Sequence, residues 1–320
     1  MIVTVTPNPA IDRIVVVRGF RGAAINRATV ERIDIGGKGI NVARNRARLG
    51  CEVVATGFLG TDAVRAVVPT LAAGGIHTDF VGVPGDIRVN LKILDPARAE
   101  ETEINEAGPF VSDGMLDDLL EKLHRLARRC SVMVFSGSLP PGAPDDFYAR
   151  CIRIAATAGV KTVLDTAGAP LRHGINAAPD LVKPNQAETE ELLGGSAIDP
   201  VLAARRLREC GAQTVVVSLG AAGAVSASAS GIWRTAPPEL AVRNTVGAGD
   251  AMVAALAFAL SQSLPAPDAL RAATALSAAA AASAAPVPAL ELFHELQPKV
   301  TIQAVAPQTT PGAATPEVVS

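Results

Sequence analysis

Hydrophobic residues along this chain follow two periods that alternate. Short β-branched runs, IVTVT (2–6), VVATGF (53–58), VMVFSG (132–137), KTVLD (161–165), DLVKPN (180–185) and TVVVSLG (214–220), have the length of buried strands. Most close on Gly, Asp, Asn or Ser. Between them, 40–49, 63–73, 113–129, 145–158, 186–193 and 200–210 carry apolar residues at helical spacing. Strand–helix alternation of this kind predicts a mostly parallel sheet covered by helices on both faces. Ligands in such sheets bind beyond the carboxyl ends of the strands, where this chain concentrates its small and polar residues.

Two segments break the rhythm. Residues 13–35 are strand-like with no intervening helix, and 87–104 hold RVNLKIL and ETEI, the pattern of an antiparallel hairpin. Together they predict a small extra sheet placed as a lid. The run 269–285 is apolar but alanine-dominated and interrupted by Arg271, Thr274, Ser277 and Ser283, which predicts a core helix and not a membrane span. Residues 307–320, rich in Pro, Thr, Ala and Gly without periodicity, are expected to form a disordered tail beyond a single domain of residues 1–306.

Composition narrows the picture only slightly. The chain has 320 residues, room for a large core, and its formal charge of -2 argues against a general nucleic-acid binder. Cys51, Cys130, Cys151 and Cys210 form no C-x-x-C pair, and His77, His124, His173 and His294 are scattered, so zinc and disulfide frameworks are not expected. No basic segment followed by an apolar one opens the chain, and the expected location is the cytoplasm.

The candidate chemistry sits at the element boundaries. Gly247-Ala248-Gly249-Asp250 stands before a long apolar helix. Glycines at a helix N-terminus admit a phosphate to free N–H groups, and an acid there can deprotonate an attacking hydroxyl; taken alone, the motif reads first as an N-cap. GGKGIN places Gly37, Lys38 and Asn41 at another helix start, a set of N–H donors, cation and amide suited to a polyhydroxylated anion, or a plain turn with a solvated lysine. Asp12 in TPNPAID can accept from sugar hydroxyls, and FSGSLPPG makes a tight turn around Ser138. Asn185 and Glu188 in KPNQAE suit a hydrated Mg²⁺ ion or a capping box, and the residues alone leave both open. Ser218, Gly220 and Gly223 follow a strand and can underlie a nucleotide.

Five of these motifs, GGKGINVARNRARLG, FSGSLPPG, KPNQAE, VVVSLGAAGA and NTVGAGDAMVAAL, fall in an order and spacing that resembles the carbohydrate kinase family of ribokinase and the non-classical phosphofructokinases. The resemblance spans roughly residues 2–298. It implies a ribokinase-like three-layer α/β fold with a mostly parallel central sheet and a small β-lid through which two copies form a homodimer. It implies ATP as phosphoryl donor, Mg²⁺, and Asp250 as catalytic base beside an anion hole of Gly247, Ala248 and Gly249. Substrate contacts are implied at Asp12, Gly37, Lys38, Asn41, Arg88, Asn90 and Ser138. Nucleotide contacts are implied at Lys183, Asn185, Ser218, Gly220 and Gly223, with Mg²⁺ held through water near Asn185 and Glu188. One position departs from the family pattern: Ile87 precedes Arg88 where relatives often have Thr.

TPNPAID, GGKGIN, RVNLK and INEAGP are most similar to family members acting on fructose 1-phosphate, and members acting on tagatose 6-phosphate are very close. The implied reaction is phosphorylation of fructose 1-phosphate to fructose 1,6-bisphosphate, with Lys38 pairing with the phosphate already on the sugar. The rivals are a tagatose 6-phosphate or fructose 6-phosphate kinase of the same family and a regulator that keeps the fold without the chemistry. A nicotinamide dehydrogenase is disfavoured because Met252 occupies the place of the third glycine of a dinucleotide fingerprint.

Overall fold

The computed structural model describes residues 1–283 and 287–306. The β-branched runs form the middle of one 11-stranded sheet. Across it lie Thr214–Ser218, Leu181–Val182, Lys161–Asp165, Val132–Ser136, Ile2–Thr6 and Val53–Gly60, each parallel to its neighbour. Alternation sends successive side chains to opposite faces. Val3, Val5, Met133, Phe135, Leu164, Val215 and Val217 pack under the helices Asp113–Ala127, Phe147–Thr157 and Pro200–Glu209. Ile2, Val132, Val134, Val163 and Val216 pack on the other face with Ala248–Ser261 and Ala266–Ala282. The result is the three-layer α/β arrangement expected from the sequence.

The helix Ala248–Ser261 is apolar nearly all round, as a helix buried on most sides must be. Its alanines, and those of Ala266–Ala282, keep the side chains between the two helices small. Among the described residues no helix is long and apolar enough to cross a membrane.

The two segments that break the rhythm form a separate four-stranded sheet in the order Thr29–Gly36, Ala10–Val16, Arg88–Asp95, Glu100–Asn105. Register sorts its faces. Asp34, Asp12, Asn90 and Asn105 share one cross-strand row, and the adjacent row of Ile33, Arg13, Leu91 and Ile104 points the opposite way. Ile87 is buried in the core beside this sheet, which gives a branched apolar residue there a packing role.

Several elements differ from the sequence expectation. DLVKPN forms a continuous strand only at Leu181–Val182, because Pro184 has no N–H for the ladder; pairing resumes as a single bridge between Asn185 and Ser218. Three antiparallel strands, Ala224–Ser228, Gly231–Ala236 and Thr301–Ala304, extend the sheet edge. Their alternation of small and hydroxylated residues gives little hydrophobic contrast. The short helix Gly168–Ile175 opens on a glycine and holds Pro170, a sequence that reads locally as loop. The tail at 307–320 lies outside the described residues.

Candidate active site

The strand ends that carry Thr6, Ser136, Asp165, Lys183 and Ser218 open at one edge of the sheet, and two helix N-termini meet them there. The helix Lys38–Arg48 starts after Gly37, whose φ of 118° belongs to glycine and whose missing side chain leaves room for Thr6 and Pro9. The helix Ala248–Ser261 starts after Gly247, left-handed at φ 82°; the Ala248 N–H reaches back to the Thr245 carbonyl at 3.4 Å, and Gly247, Ala248 and Gly249 line the opening with the helix start.

Two clefts meet at this edge, about 1050 Å³ and 880 Å³, and Lys38, Glu188 and Asp250 line both. The first lies between the four-stranded sheet, expected from the sequence to act as a lid, and the main sheet. It gathers Asp12, Gly37, Lys38, Asn41, Arg88, Asn90 and Ser138, the whole set read from the sequence for the sugar side. Asn90 Nδ2 donates to Asp12 Oδ1 at 2.9 Å, and the Asp12 carboxylate lies over Gly36, where any Cβ would collide with it. Burial raises the pKa of Asp12, against the opposing pull of Asn90 and Arg88. Arg88 donates from Nε to the Asn8 carbonyl at 3.2 Å and from a terminal nitrogen to the Glu106 carbonyl at 3.3 Å. Thr6 Oγ1, Asn8 Oδ1 and Asn90 Oδ1 are buried without a hydrogen-bond partner along this cleft. Unpaired acceptors and hydroxyls of this kind suit a polyol ligand.

The second cleft gathers Lys183, Asn185, Ser218, Gly220 and Gly223 with Gly247, Ala248 and Gly249. Gly223, at φ 89°, packs so close to the Thr235 carbonyl that a side chain has no room. Asn185 and Glu188 form the capping box: Asn185 Oδ1 accepts from the Glu188 N–H at 2.8 Å, and Glu188 Oε2 accepts from the Asn185 N–H at 2.9 Å. The remaining oxygen, Glu188 Oε1, faces Lys38 Nζ at 3.6 Å. Among the described residues no group of three or more His, Cys, Asp or Glu side chains converges as a metal cage. These donors fit an ion that keeps its waters and reaches the protein through them, the habit of Mg²⁺.

At the seam, Asp250 is buried and its Oδ2 accepts from Asn41 Nδ2 at 2.8 Å. Burial first, and the charge of Asp165 second, push its carboxyl up to about 6, against Asn41, Lys38 and Lys183. A carboxylate with a pKa near neutrality, beside helix N–H donors and two lysines, can accept a proton from a hydroxyl while the donors hold negative charge. Burial alone would lower the Lys38 pKa, but Asp165, Glu188 and Asp250 outweigh it and hold the ammonium protonated well above its ordinary range.

Asp165 and Asn8 were not singled out in the sequence. Asn8 Nδ2 donates to the Ala107 carbonyl at 3.0 Å and so ties the first strand's exit to the lid. The signal for Asp165 was its place as an acid at the carboxyl end of a central strand. Arg44, from the helix Lys38–Arg48, and Lys92, from the strand Arg88–Asp95, also line the first cleft.

The family model for pfkB family carbohydrate kinases matches residues 6–291. The chain is 38% identical over 314 residues to the 1-phosphofructokinase of Rhodobacter capsulatus, covering 96% of this chain and 98% of that one. It is 40% identical over 265 residues to the 1-phosphofructokinase of Xanthomonas campestris, covering 81% and 83%. Among solved structures, the tetrameric inhibited form of phosphofructokinase-2 from Escherichia coli superimposes with a TM-score of 0.85 at 27% identity, covering 93% of this chain and 98% of that one.

Proposed function

This chain belongs to the pfkB family of carbohydrate kinases, and on that premise we propose that it phosphorylates fructose 1-phosphate at the free primary hydroxyl, with ATP as donor, to give fructose 1,6-bisphosphate. One observation carries the reading: the two clefts share a buried carboxylate, Asp250, placed at a helix N-terminus. The sugar phosphate occupies the first cleft, with Asp12 and Asn90 on its hydroxyls, and Arg88 closing from the lid. ATP occupies the second, its phosphates toward Gly247, Ala248 and Gly249 and its sugar and base along Ser218, Gly220 and Gly223.

Phosphoryl transfer asks mainly for positioning and charge stabilisation. Asp250 removes the proton of the attacking hydroxyl. The first-turn N–H groups and Lys38 hold the charge on the transferring phosphoryl oxygens. Lys38 lines both clefts, so it also reaches toward the phosphorylated sugar expected to pair with it. Mg²⁺ carried with the nucleotide would be held through water by Asn185 and Glu188 and would neutralise phosphate charge. Closure of the lid excludes water, whose attack would hydrolyse ATP.

A homodimer through the lid goes with this reading. Ile33 and Ile104, in the row that faces away from the cleft, are 58% and 54% exposed, an apolar strip that a second copy can cover. Ile104→Asp should then lower the mass measured by sedimentation. The substrate assignment is tested by side-by-side rates with fructose 1-phosphate, tagatose 6-phosphate, fructose 6-phosphate and unphosphorylated sugars. A higher kcat/KM for any of the last three would displace it.

A further inference from the structure

Asp165 belongs to the seam by geometry, with its side chain only 1% exposed. It closes the strand Lys161–Asp165 beside Ser136, and its carbonyl accepts from the Gly137 N–H at 3.0 Å, so its backbone is fixed. Its Oδ1 lies 3.3 Å from Lys38 Nζ and 3.3 Å from Lys183 Nζ. The two lysines come from different elements. Lys38 opens a helix and lines both clefts; Lys183 follows a strand and lines the second, with Nζ 3.7 Å from where a Cβ on Gly249 would sit.

An acid at the end of a strand, just before a helix, is ordinarily a cap. That explanation fails here. The helix Gly168–Ile175 has Ala167 at its N-cap and no side-chain cap bond. Among the described residues, only the two lysines reach the Asp165 carboxylate. Two ammonium groups so close repel each other, and a carboxylate shared between them offsets that repulsion; without it, the buried Lys183 loses its ion pair and Lys38 keeps only Glu188.

We propose that Asp165 is a positioning residue: its single oxygen holds Lys38 and Lys183 on either side of the seam and sets the electrostatic surroundings in which Asp250 works. The inference rests on Asp250 being the base. The charged groups around Asp250 are Lys38 from the first helix, Asp165 and Lys183 from neighbouring strand ends, and Glu188 from the helix Gln186–Leu193, with the neutral Asn41 bonded directly. The charge of Asp165 raises the Asp250 pKa, and those of Lys38 and Lys183 lower it. Removing Asp165 therefore makes Asp250 a weaker base and also releases both lysines.

The test is the pH profile of kcat/KM for wild type, Asp165→Asn and Lys183→Gln, with fructose 1-phosphate and ATP. Asp165→Asn should lose at least about tenfold in kcat, the scale of a charge-assisted hydrogen bond. Its acid limb should move down by on the order of one pH unit, because a charge that raises the Asp250 pKa is gone. Lys183→Gln should move the limb up. Opposite shifts are not produced by a general loss of structure, and Lys183→Gln keeps the test open if the Asp165 variant fails to fold. A wild-type limb near pH 6 that neither variant moves overturns the inference and leaves the base assignment intact. A wild type with no such limb overturns the base assignment, and the inference with it.

Discussion

Asn41 donates to Asp250 Oδ2 at 2.8 Å across 209 residues of sequence, joining the first turns of Lys38–Arg48 and Ala248–Ser261. Toward the far ends of the same helices, the Arg46 guanidinium lies 4.5 Å from the Phe258 ring centroid. The helix that lines the first cleft with Lys38 and Asn41 and the helix that carries Asp250 are thus held in fixed relation at both ends. Asn41 also favours the ionised form of Asp250, the form a base needs.

A base with its pKa pushed up to about 6 must be deprotonated to act, so kcat/KM should fall as pH drops through 6 and level off above it. Asn41→Ala removes a bond to the ionised carboxylate and should move this limb to higher pH. A limb that stays put, or moves down, would separate Asn41 from the tuning of Asp250.

Asp250→Asn keeps an acceptor for Asn41 and should fold. Turnover should drop by about 10²–10⁴, the usual worth of general-base assistance. Its stability carries a second signature. The folded pKa is raised, so below the unfolded value of 3.8 the wild type bears no penalty, and it loses stability as pH rises through about 6. The Asn variant should match wild type at pH 3–4 and exceed it at pH 7–8 by on the order of 2–3 kcal/mol. Thermal melts at the two pH values measure the difference; a variant less stable than wild type at pH 8 would contradict the burial of a charge there.

Lys38→Ala should lower kcat/KM by about one to two orders of magnitude, since charge-assisted bonds to phosphate are worth roughly 1.5–3 kcal/mol. A fall in kcat places the ammonium on the transferring group, and a rise in the sugar-phosphate KM alone places it on the resident phosphate. Unchanged kinetics would return Lys38 to a structural role, bound to Asp165 and Glu188.

Glu188→Gln separates the two roles read at KPNQAE. Glutamine at N3 still closes the capping box, so the melting temperature should stay within about a degree or two of wild type. The charge beside Lys38 and beside any hydrated cation is lost, so the Mg²⁺ concentration for half-maximal rate should rise. A titration that overlays wild type would leave Glu188 as a cap alone.

The sequence by itself determined the parallel sheet, because buried β-branched runs and amphipathic helices differ in period and need no partner to be recognised. It also marked two turns that open at the clefts, since the glycines at Gly37 and Gly247 answer to backbone geometry that other residues resist. The lid was legible in outline, and its faces followed once register was known: a shift of one residue would have turned Asp12 and Asn90 outward and Ile33 and Ile104 in. Only the tertiary structure decided what those residues meet. KPNQAE reads the same as a cap or as an ion site, and it took the placement of Lys38 to show the oxygen left over from the cap. Asp165 looked like any acid ending a strand until folding set two lysines, 145 positions apart (38 and 183), against one of its oxygens. Local pattern reports periodicity and backbone need, but an ionic contact between distant segments leaves no local trace in either.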